Sequence, residues 1–272
     1  MPAAYDASAF VTEDSVAIIE IGGTIQYDGS TSSPEGLKEQ LDNAEENSHI
    51  KAVVLRVDSG GGTATAGEEM AHYVNEFSKP VVVSSASMNA SAAYEISSQA
   101  DYIFTAKTTS IGSIGTALSI TDLSGLYEKL GIKIDDITSS DSKDSSYGNR
   151  ALTEEEREYY QEMVNDINET FIETVADGRG MSTDEVRKLA TGLTFTGMTA
   201  VENGLADEIG TLEDACNKAA KLAGINSYET LYLYNSSSLN MYDLLDILGE
   251  SSSKEELLRQ LEELNSNGSF SN

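Results

Sequence analysis

The sequence predicts an α/β fold in which parallel strands alternate with helices. Short apolar runs recur along the chain, and most are followed by a segment whose apolar residues have helical spacing. Consecutive strands with a helix between them pack as parallel βαβ units. With 272 residues, of which 39% are hydrophobic and 23% charged, the chain can bury a sizeable core. A fibrous or wholly disordered protein is therefore excluded.

The predicted strands are short runs of Val, Ile, Leu, Phe or Tyr bounded by turn-forming residues. The helices between them repeat apolar residues every three or four positions. Ser33 and Pro34 are typical of a helix start, because serine caps the first turn and proline fits within it. The predicted strands lie at 16–21, 52–57, 81–83, 102–104 and 132–137, and the helices at 33–44, 66–77 and 123–130.

A long helix is predicted over residues 153–177. Thr153 and Glu156 form a capping box at its start, and one stripe of apolar side chains follows. The stripe predicts that the helix packs against the core. The alternative is that part of the stripe faces another subunit. Two further helices are predicted after a second capping box at Ser182 and Glu185, and over about 212–222.

The composition changes along the chain and predicts three parts. Residues 1–14 form an N-terminal extension, 15–225 the main domain and 226–272 an acidic appendage rich in Asn and Ser. Two amphipathic segments, 241–248 and 257–264, stand out in the appendage. We expect it to dock on its own domain or on a neighbouring subunit.

Charge and residue counts exclude several functions. The chain has 46 Asp and Glu against 17 Lys and Arg, a net charge of −29, which repels nucleic acid. The single cysteine, Cys216, cannot form an intrachain disulfide. His49 and His72 lie in no metal-ligand spacing, so neither a metal nor a cofactor is predicted. No run of about twenty apolar residues is present to span a membrane.

A candidate nucleophile lies in the stretch 84–94, which follows a buried strand and leads into a helix of small residues. Ser91 would be exposed at such a turn, and a helix start presents free N–H groups. A tetrahedral intermediate needs two N–H donors. The glycines at 60–62 offer one donor and the amide of Ala92 offers the other. From these residues alone, small side chains that only pack remain the alternative.

The base that would activate this serine is less clear from the residues. A Ser-His-Asp arrangement would need His49 or His72, and His72 lies in a helix used for packing. Lysine acts as a base only when desolvation or like charge lowers its pKa from about 10.4 toward 7 to 8. Lys143 lies in a polar stretch between Asp141 and Asp144. A solvated surface loop is therefore the alternative interpretation.

Six short motifs follow one another within residues 15–222: Asp58–Gly62, Ser87–Tyr94, Thr109–Gly115, Ser142–Asp144, Gly178–Met181 and Gly204–Gly210. In this order and spacing they closely resemble the signal peptide peptidase A family, peptidase family S49. The resemblance implies a ClpP/crotonase-like fold of repeated ββα and βαβ units with a helical C-terminal appendage. It also implies a serine endopeptidase with a Ser-Lys dyad, without a cofactor, whose catalytic domain is 15–225.

The resemblance also implies a role for individual residues. They are Ser91 as the nucleophile, Lys143 as the general base, Ser113 as the hydroxyl that orients the lysine, Gly62 and Ala92 as the oxyanion-hole donors, and Gly61 as part of the same oxyanion and substrate-binding loop.

The chain departs from the family pattern at three positions close to these residues. Ala92 and Ala93 stand where the family usually has glycine, and Gly60 stands where it usually has proline. A methyl group narrows the pocket without removing an N–H donor. We therefore expect the departures to affect substrate preference more than activity.

The substrate implied by the resemblance is a remnant signal peptide or another short, hydrophobic, extended peptide, cut by a ring-shaped homo-oligomer. Family members usually carry an N-terminal transmembrane anchor, which this chain lacks. We expect the protein to be located at the extracytoplasmic face of the cell membrane if an anchor was removed, and to be a soluble cytoplasmic protein otherwise. The alternatives are a soluble protease of the same family acting on a viral capsid component, a crotonase-type acyl-CoA enzyme and a non-catalytic oligomeric scaffold.

Overall fold

Eight strands form one sheet in the computed structural model, which we describe for residues 11–234. The strands are β1 (Ser15–Ile25), β2 (Ile50–Gly62), β3 (Val81–Ala90), β4 (Tyr102–Thr105), β5 (Ser110–Gly112), β6 (Thr194–Thr196), β7 (Glu208–Ile209) and β8 (Glu229–Leu233). The helices are α1 (Pro34–Glu46), α2 (Ala64–Glu76), α3 (Ala92–Ser98), α4 (Ser124–Leu130), α5 (Glu154–Arg179), α6 (Thr183–Leu189), α7 (Gly197–Glu202) and α8 (Leu212–Leu222).

The order of the strands confirms the predicted parallel α/β architecture. The main path is β6-β5-β3-β2-β1-β8, with β4 beside β3 and β7 beside β4. Every pairing is parallel except that between β5 and β6. The first half of β3 pairs with β4 and its last three residues, 88–90, pair with β5. The carboxyl end of β3 therefore continues beyond β4, toward the start of α3.

Helices cover both faces of the sheet, which explains why its strands are continuous apolar runs. On one face, side chains of β1, β2 and β3 pack with α1, α2, α3 and the second half of α5. On the other face, α8 packs Cys216 and Ala219 against the opposite side of the same strands. The central strands are thus rigid, and their carboxyl ends carry the candidate site.

The predicted helix starts are confirmed by their capping contacts. The Ser33 hydroxyl accepts a hydrogen bond from the N–H of Gly36 at 3.0 Å. Both predicted capping boxes are formed, at Thr153 with Glu156 and at Ser182 with Glu185. The apolar stripe of α5 is buried in the core only toward the end of the helix.

One sequence prediction needs correction. Residues 132–137 are not a strand, because their backbone is irregular and none of the described strands pairs with them. Their isoleucines are exposed instead. Beyond residue 225, β8 pairs with β1 in parallel at the edge of the sheet.

The rest of the predicted appendage, including 241–248 and 257–264, and residues 1–10 lie outside the described residues. The division of the chain into three parts stays a prediction. Among the helices within residues 11–234, none has both the length and the hydropathy needed to cross a bilayer.

Candidate active site

Ser91 lies at the junction of β3 and α3 in a strained backbone conformation. Its φ of 55° and ψ of −133° are rare for a residue with a side chain. Hydrogen bonds hold the residue on both sides: its N–H donates to the carbonyl of Gly112 at 2.8 Å, and its own carbonyl accepts from the N–H of Tyr94 at 2.8 Å. The strain is therefore fixed by the fold, and it presents the serine at the start of a helix.

The glycine loop at the end of β2 lies directly against this serine. Gly61 has a φ of +94°, and a Cβ atom there would come within 2.7 Å of the Ser91 Cβ and 2.9 Å of the Ala92 nitrogen. Only glycine fits such a close backbone approach. The Ser59 hydroxyl accepts from the Gly61 N–H at 3.1 Å and donates to the Gly23 carbonyl at 2.7 Å, which fixes the loop.

A cavity of about 320 Å³ brings Ser91 together with both predicted oxyanion-hole residues, Gly62 and Ala92. Ala92 is the first residue of α3, and helix geometry leaves the amides of a first turn without intrahelical partners. Ala93 does not line the cavity and is buried in the core. The cavity thus brings the predicted nucleophile together with the predicted backbone donors, the two kinds of group that acyl transfer requires.

Lys143 does not reach this cavity within one chain. It is not among the residues that line the cavity, and its side chain is exposed. Its ammonium group makes no hydrogen bond or ion pair within residues 11–234. One copy of the chain therefore brings the predicted nucleophile and oxyanion hole together, but not the predicted base.

Ser113 is connected to the nucleophile through the backbone. It follows Gly112, whose carbonyl holds the Ser91 N–H, and it has a φ of 52°. Its hydroxyl donates to the carbonyl of Gly192 at 2.9 Å. In the single chain this hydroxyl therefore contacts the backbone at residue 192 and not Lys143.

An ion-pair network holds the segment that carries Lys143 against α5. The Arg150 guanidinium donates to Asp144 Oδ1 and to Glu156 Oε1, both at 2.7 Å, and it lowers the pKa of both carboxyl groups. The Ser145 and Tyr160 hydroxyls form a further hydrogen bond of 2.7 Å. The residues that follow Lys143 are thus positioned by the start of the long helix.

Replacing Arg150 by alanine should release this segment. If Lys143 is the general base that the family resemblance implies, kcat/KM for peptide cleavage should fall by about tenfold or more, since displacement of a catalytic group costs rate steeply. Arg187→Ala is the matched control, because Arg187 also pairs with two carboxylates, Glu169 and Asp184, on a different part of the surface. Equal activities of the two variants in a peptide assay would contradict a positioning role for Arg150.

Two glutamates that the sequence patterns did not predict for the site, Glu68 and Glu95, line the cavity. Glu95 follows Ser91 by one helical turn, is 4% exposed and makes no side-chain hydrogen bond or ion pair within the described part of the chain. Burial, and secondarily the charge of Glu68, raises the pKa of Glu95 to about 8. A signal was available, since Glu95 is the only charged residue in the stretch 84–100.

No group of three or more His, Cys, Asp or Glu within residues 11–234 is placed to hold a metal.

The arrangement of strands and helices is that of the ClpP-like fold. A mutant of ClpP1 from Listeria monocytogenes superposes with a TM-score of 0.51 at 17% identity, over 73% of this chain and 94% of that one. The predicted fold class is therefore confirmed, and with it the class of protein: an α/β chain of the ClpP-like fold.

The particular family follows from the sequence comparisons. The model of peptidase family S49 matches residues 74–226. A Methanocaldococcus jannaschii protein with a provisional protease name is 37% identical over 77% of this chain and 68% of its own length. Protease 4 of Haemophilus influenzae is 34% identical over 76% of this chain and 34% of its own length. The chain belongs to peptidase family S49, and it spans about a third of the length of Protease 4.

Proposed function

We propose that the chain is a serine endopeptidase that cuts short, hydrophobic, extended peptides such as remnant signal peptides. The observation that carries the proposal is the cavity that Ser91 lines together with Gly62 and Ala92. Membership of a peptidase family supports the reaction class. The apolar walls contributed by Ala117, Ile167 and Phe171 suit a hydrophobic substrate.

The chemistry assigns one role to each group. The Ser91 hydroxyl oxygen attacks the peptide carbonyl carbon while its proton passes to the unprotonated amine of Lys143. The N–H groups of Gly62 and Ala92 hold the negative oxygen of the tetrahedral intermediate. The carbon–nitrogen bond then breaks, and the leaving amine takes the proton from Lys143. Water, activated by the same lysine, releases the acyl group from Ser91.

The exposed position of Lys143 leads us to propose that it acts on the serine of a neighbouring copy. The segment 116–150, which carries the lysine, exposes a set of large apolar side chains. A cluster of this kind marks a protein–protein interface. A second copy packed on the segment, as in the predicted ring-shaped homo-oligomer, would bury it and bring Lys143 to an active site. The apolar side chains are Leu118, Leu126, Leu130, Ile132, Ile134 and Ile137.

The alternative functions have less support. A crotonase-type enzyme would bind the polyanionic coenzyme A, but the described part of the chain lines the cavity beside Ser91 with Glu68 and Glu95 and with no basic side chain. A non-catalytic scaffold does not account for the strained serine beside a glycine loop. A viral capsid protein as substrate would change what is cut and leave the chemistry unchanged.

Cleavage of a quenched apolar peptide between about pH 6 and 10 tests the proposal. We expect the parent chain to cleave the peptide, with Ser91 as the nucleophile and Lys143 as the base. Ser91→Ala and Lys143→Ala should each abolish turnover without unfolding the chain. Ser87→Ala and Lys107→Ala are the controls. They replace exposed residues that lie outside the cavity, and both variants should keep the turnover of the parent. Full activity in Ser91→Ala or Lys143→Ala would refute the dyad.

A further inference from the structure

The buried carboxylate of Glu95 forms part of the wall of the cavity that contains Ser91. The two residues lie four positions apart at the start of α3, on the same side of the helix. Glu95 is 4% exposed, yet its carboxylate has no hydrogen-bond or ion-pair partner among residues 11–234. A buried acid without a partner costs free energy, and a ligand that supplies the partner removes this cost.

The packing of α2 on α3 fixes where this carboxylate lies. A Cβ atom at Gly67 of α2 would come within 2.7 Å of the Ala92 Cβ and 3.1 Å of Glu95 Oε2. The two helices therefore touch at Gly67, and Glu95 is held at their contact, close to a candidate oxyanion donor. Glu68, the next residue of α2, lines the same cavity. Two carboxylates on two helices thus face the space in front of the nucleophile.

The rest of the cavity suits the stem of a long side chain. Its remaining lining residues are Gly, Ala, Ser, Thr, Ile and Phe, so within residues 11–234 Glu68 and Glu95 are its only titratable groups. The segment 115–117 and helix α5 contribute no charge to it. Burial raises the pKa of Glu95 to about 8, so the free side chain is mostly protonated at pH 7, and a cation bound beside it would favour the ionised carboxylate. A wall that combines apolar side chains such as Ile167 and Phe171 with a carboxyl group suits a side chain with a methylene stem and a terminal cation.

We infer that the cavity is a subsite for a basic side chain, Lys or Arg, immediately before the bond that is cut. Glu95 is the specificity-determining residue, and Glu68 adds to the negative field at the cavity mouth. The inference rests on the proposed function, because it takes Ser91 as the attacking group. It narrows the substrate to a hydrophobic peptide that carries a basic residue at the cleavage position.

Two quenched peptides that differ only in the residue before the cut bond test the subsite by turnover. One carries lysine and the other norleucine, which has the same stem without the ammonium group. The parent should cleave the lysine peptide with a kcat/KM higher by about tenfold, since a charge-specific pocket rejects the neutral analogue. Glu95→Gln should bring the ratio to within about twofold, and Glu68→Gln should reduce it partly. An unchanged ratio in Glu95→Gln would overturn the assignment.

The matched control is Glu202→Gln, which removes an exposed charge of α7 outside the cavity and should keep the ratio of the parent. A binding measurement separates this inference from the proposed function. In a Ser91→Ala background, the lysine peptide should bind more tightly than the norleucine peptide by about fivefold, as read by fluorescence anisotropy. Glu95→Gln in that background should abolish the difference.

Equal binding of the two peptides in the Ser91→Ala background would refute the subsite even if the parent cleaves both. Tighter binding of the lysine peptide together with no cleavage of either by the parent would support the subsite and contradict the proposed function. Thermal melting of each variant shows that a lost preference does not arise from unfolding.

Discussion

Co-expression of the Ser91→Ala and Lys143→Ala chains should restore peptide cleavage that neither chain retains alone. A complete site forms wherever a Lys143→Ala chain supplies Ser91 and the neighbouring Ser91→Ala chain supplies Lys143. If the two chains assemble at random in equal amounts, about a quarter of the sites contain both groups. The physical basis is the position of Lys143, which is exposed and outside the cavity of its own chain.

Two different affinity tags on the two chains allow mixed oligomers to be purified before kcat is measured. The control is a pair of Ser91→Ala chains that carry the same two tags, because these chains cannot form a complete site. Mixed oligomers without activity would contradict the proposal that the lysine acts between subunits. The lysine would then have to reach Ser91 of its own chain by rearrangement of residues 116–150.

Gly62→Ala should remove nearly all activity. A methyl group at this position would overlap the carbonyl of Ile25, a backbone atom that also accepts the Thr63 N–H at 2.9 Å. The ends of β1 and β2 would have to separate, and the residue 62 amide would move away from the oxyanion. Loss of one such donor lowers kcat by about 10²–10³-fold. A lower melting temperature should accompany this loss.

Gly60→Ala is the control for this change. Its added Cβ would meet only the Met88 sulfur, at 3.1 Å, and the end of a methionine side chain can move. We expect Gly60→Ala to stay within about threefold of the parent in kcat/KM and to melt at nearly the same temperature. If Gly62→Ala matched Gly60→Ala in both kcat/KM and melting temperature, the proposed role of the residue 62 amide as an oxyanion donor would be contradicted.

Local signals predicted most of the fold. The alternation of apolar runs and helical stripes identified the parallel core, and Thr153 and Glu156 marked the start of α5. The prediction of a strand at 132–137 was wrong. Isoleucines that alternate with polar residues are typical of a strand, whereas here they remain exposed. An apolar pattern in the sequence predicts that the side chains are buried, but it does not identify what covers them. A second copy of the chain can cover such side chains as well as the sheet of the same chain can.

The candidate site was predicted only in part, for a related reason. The position of Ser91 between a strand and a small-residue helix, with glycines upstream, indicated the nucleophile and its loop. Glu95 was missed because the contact between α2 and α3 at Gly67 depends on the packing of residues far apart in sequence. The base was assigned by resemblance, and the single chain leaves Lys143 outside the cavity.

The most direct test of the central claim is the reaction of the purified chain with a fluorophosphonate probe, followed by mass spectrometry of the labelled peptide. Such probes phosphonylate a serine oxygen only when it is activated. The account predicts a single label on Ser91 in the parent, and labelling that is much slower in Lys143→Ala and restored in the mixed oligomers. A folded parent that stays unlabelled, or a label on another serine, would contradict Ser91 as the nucleophile of this peptidase.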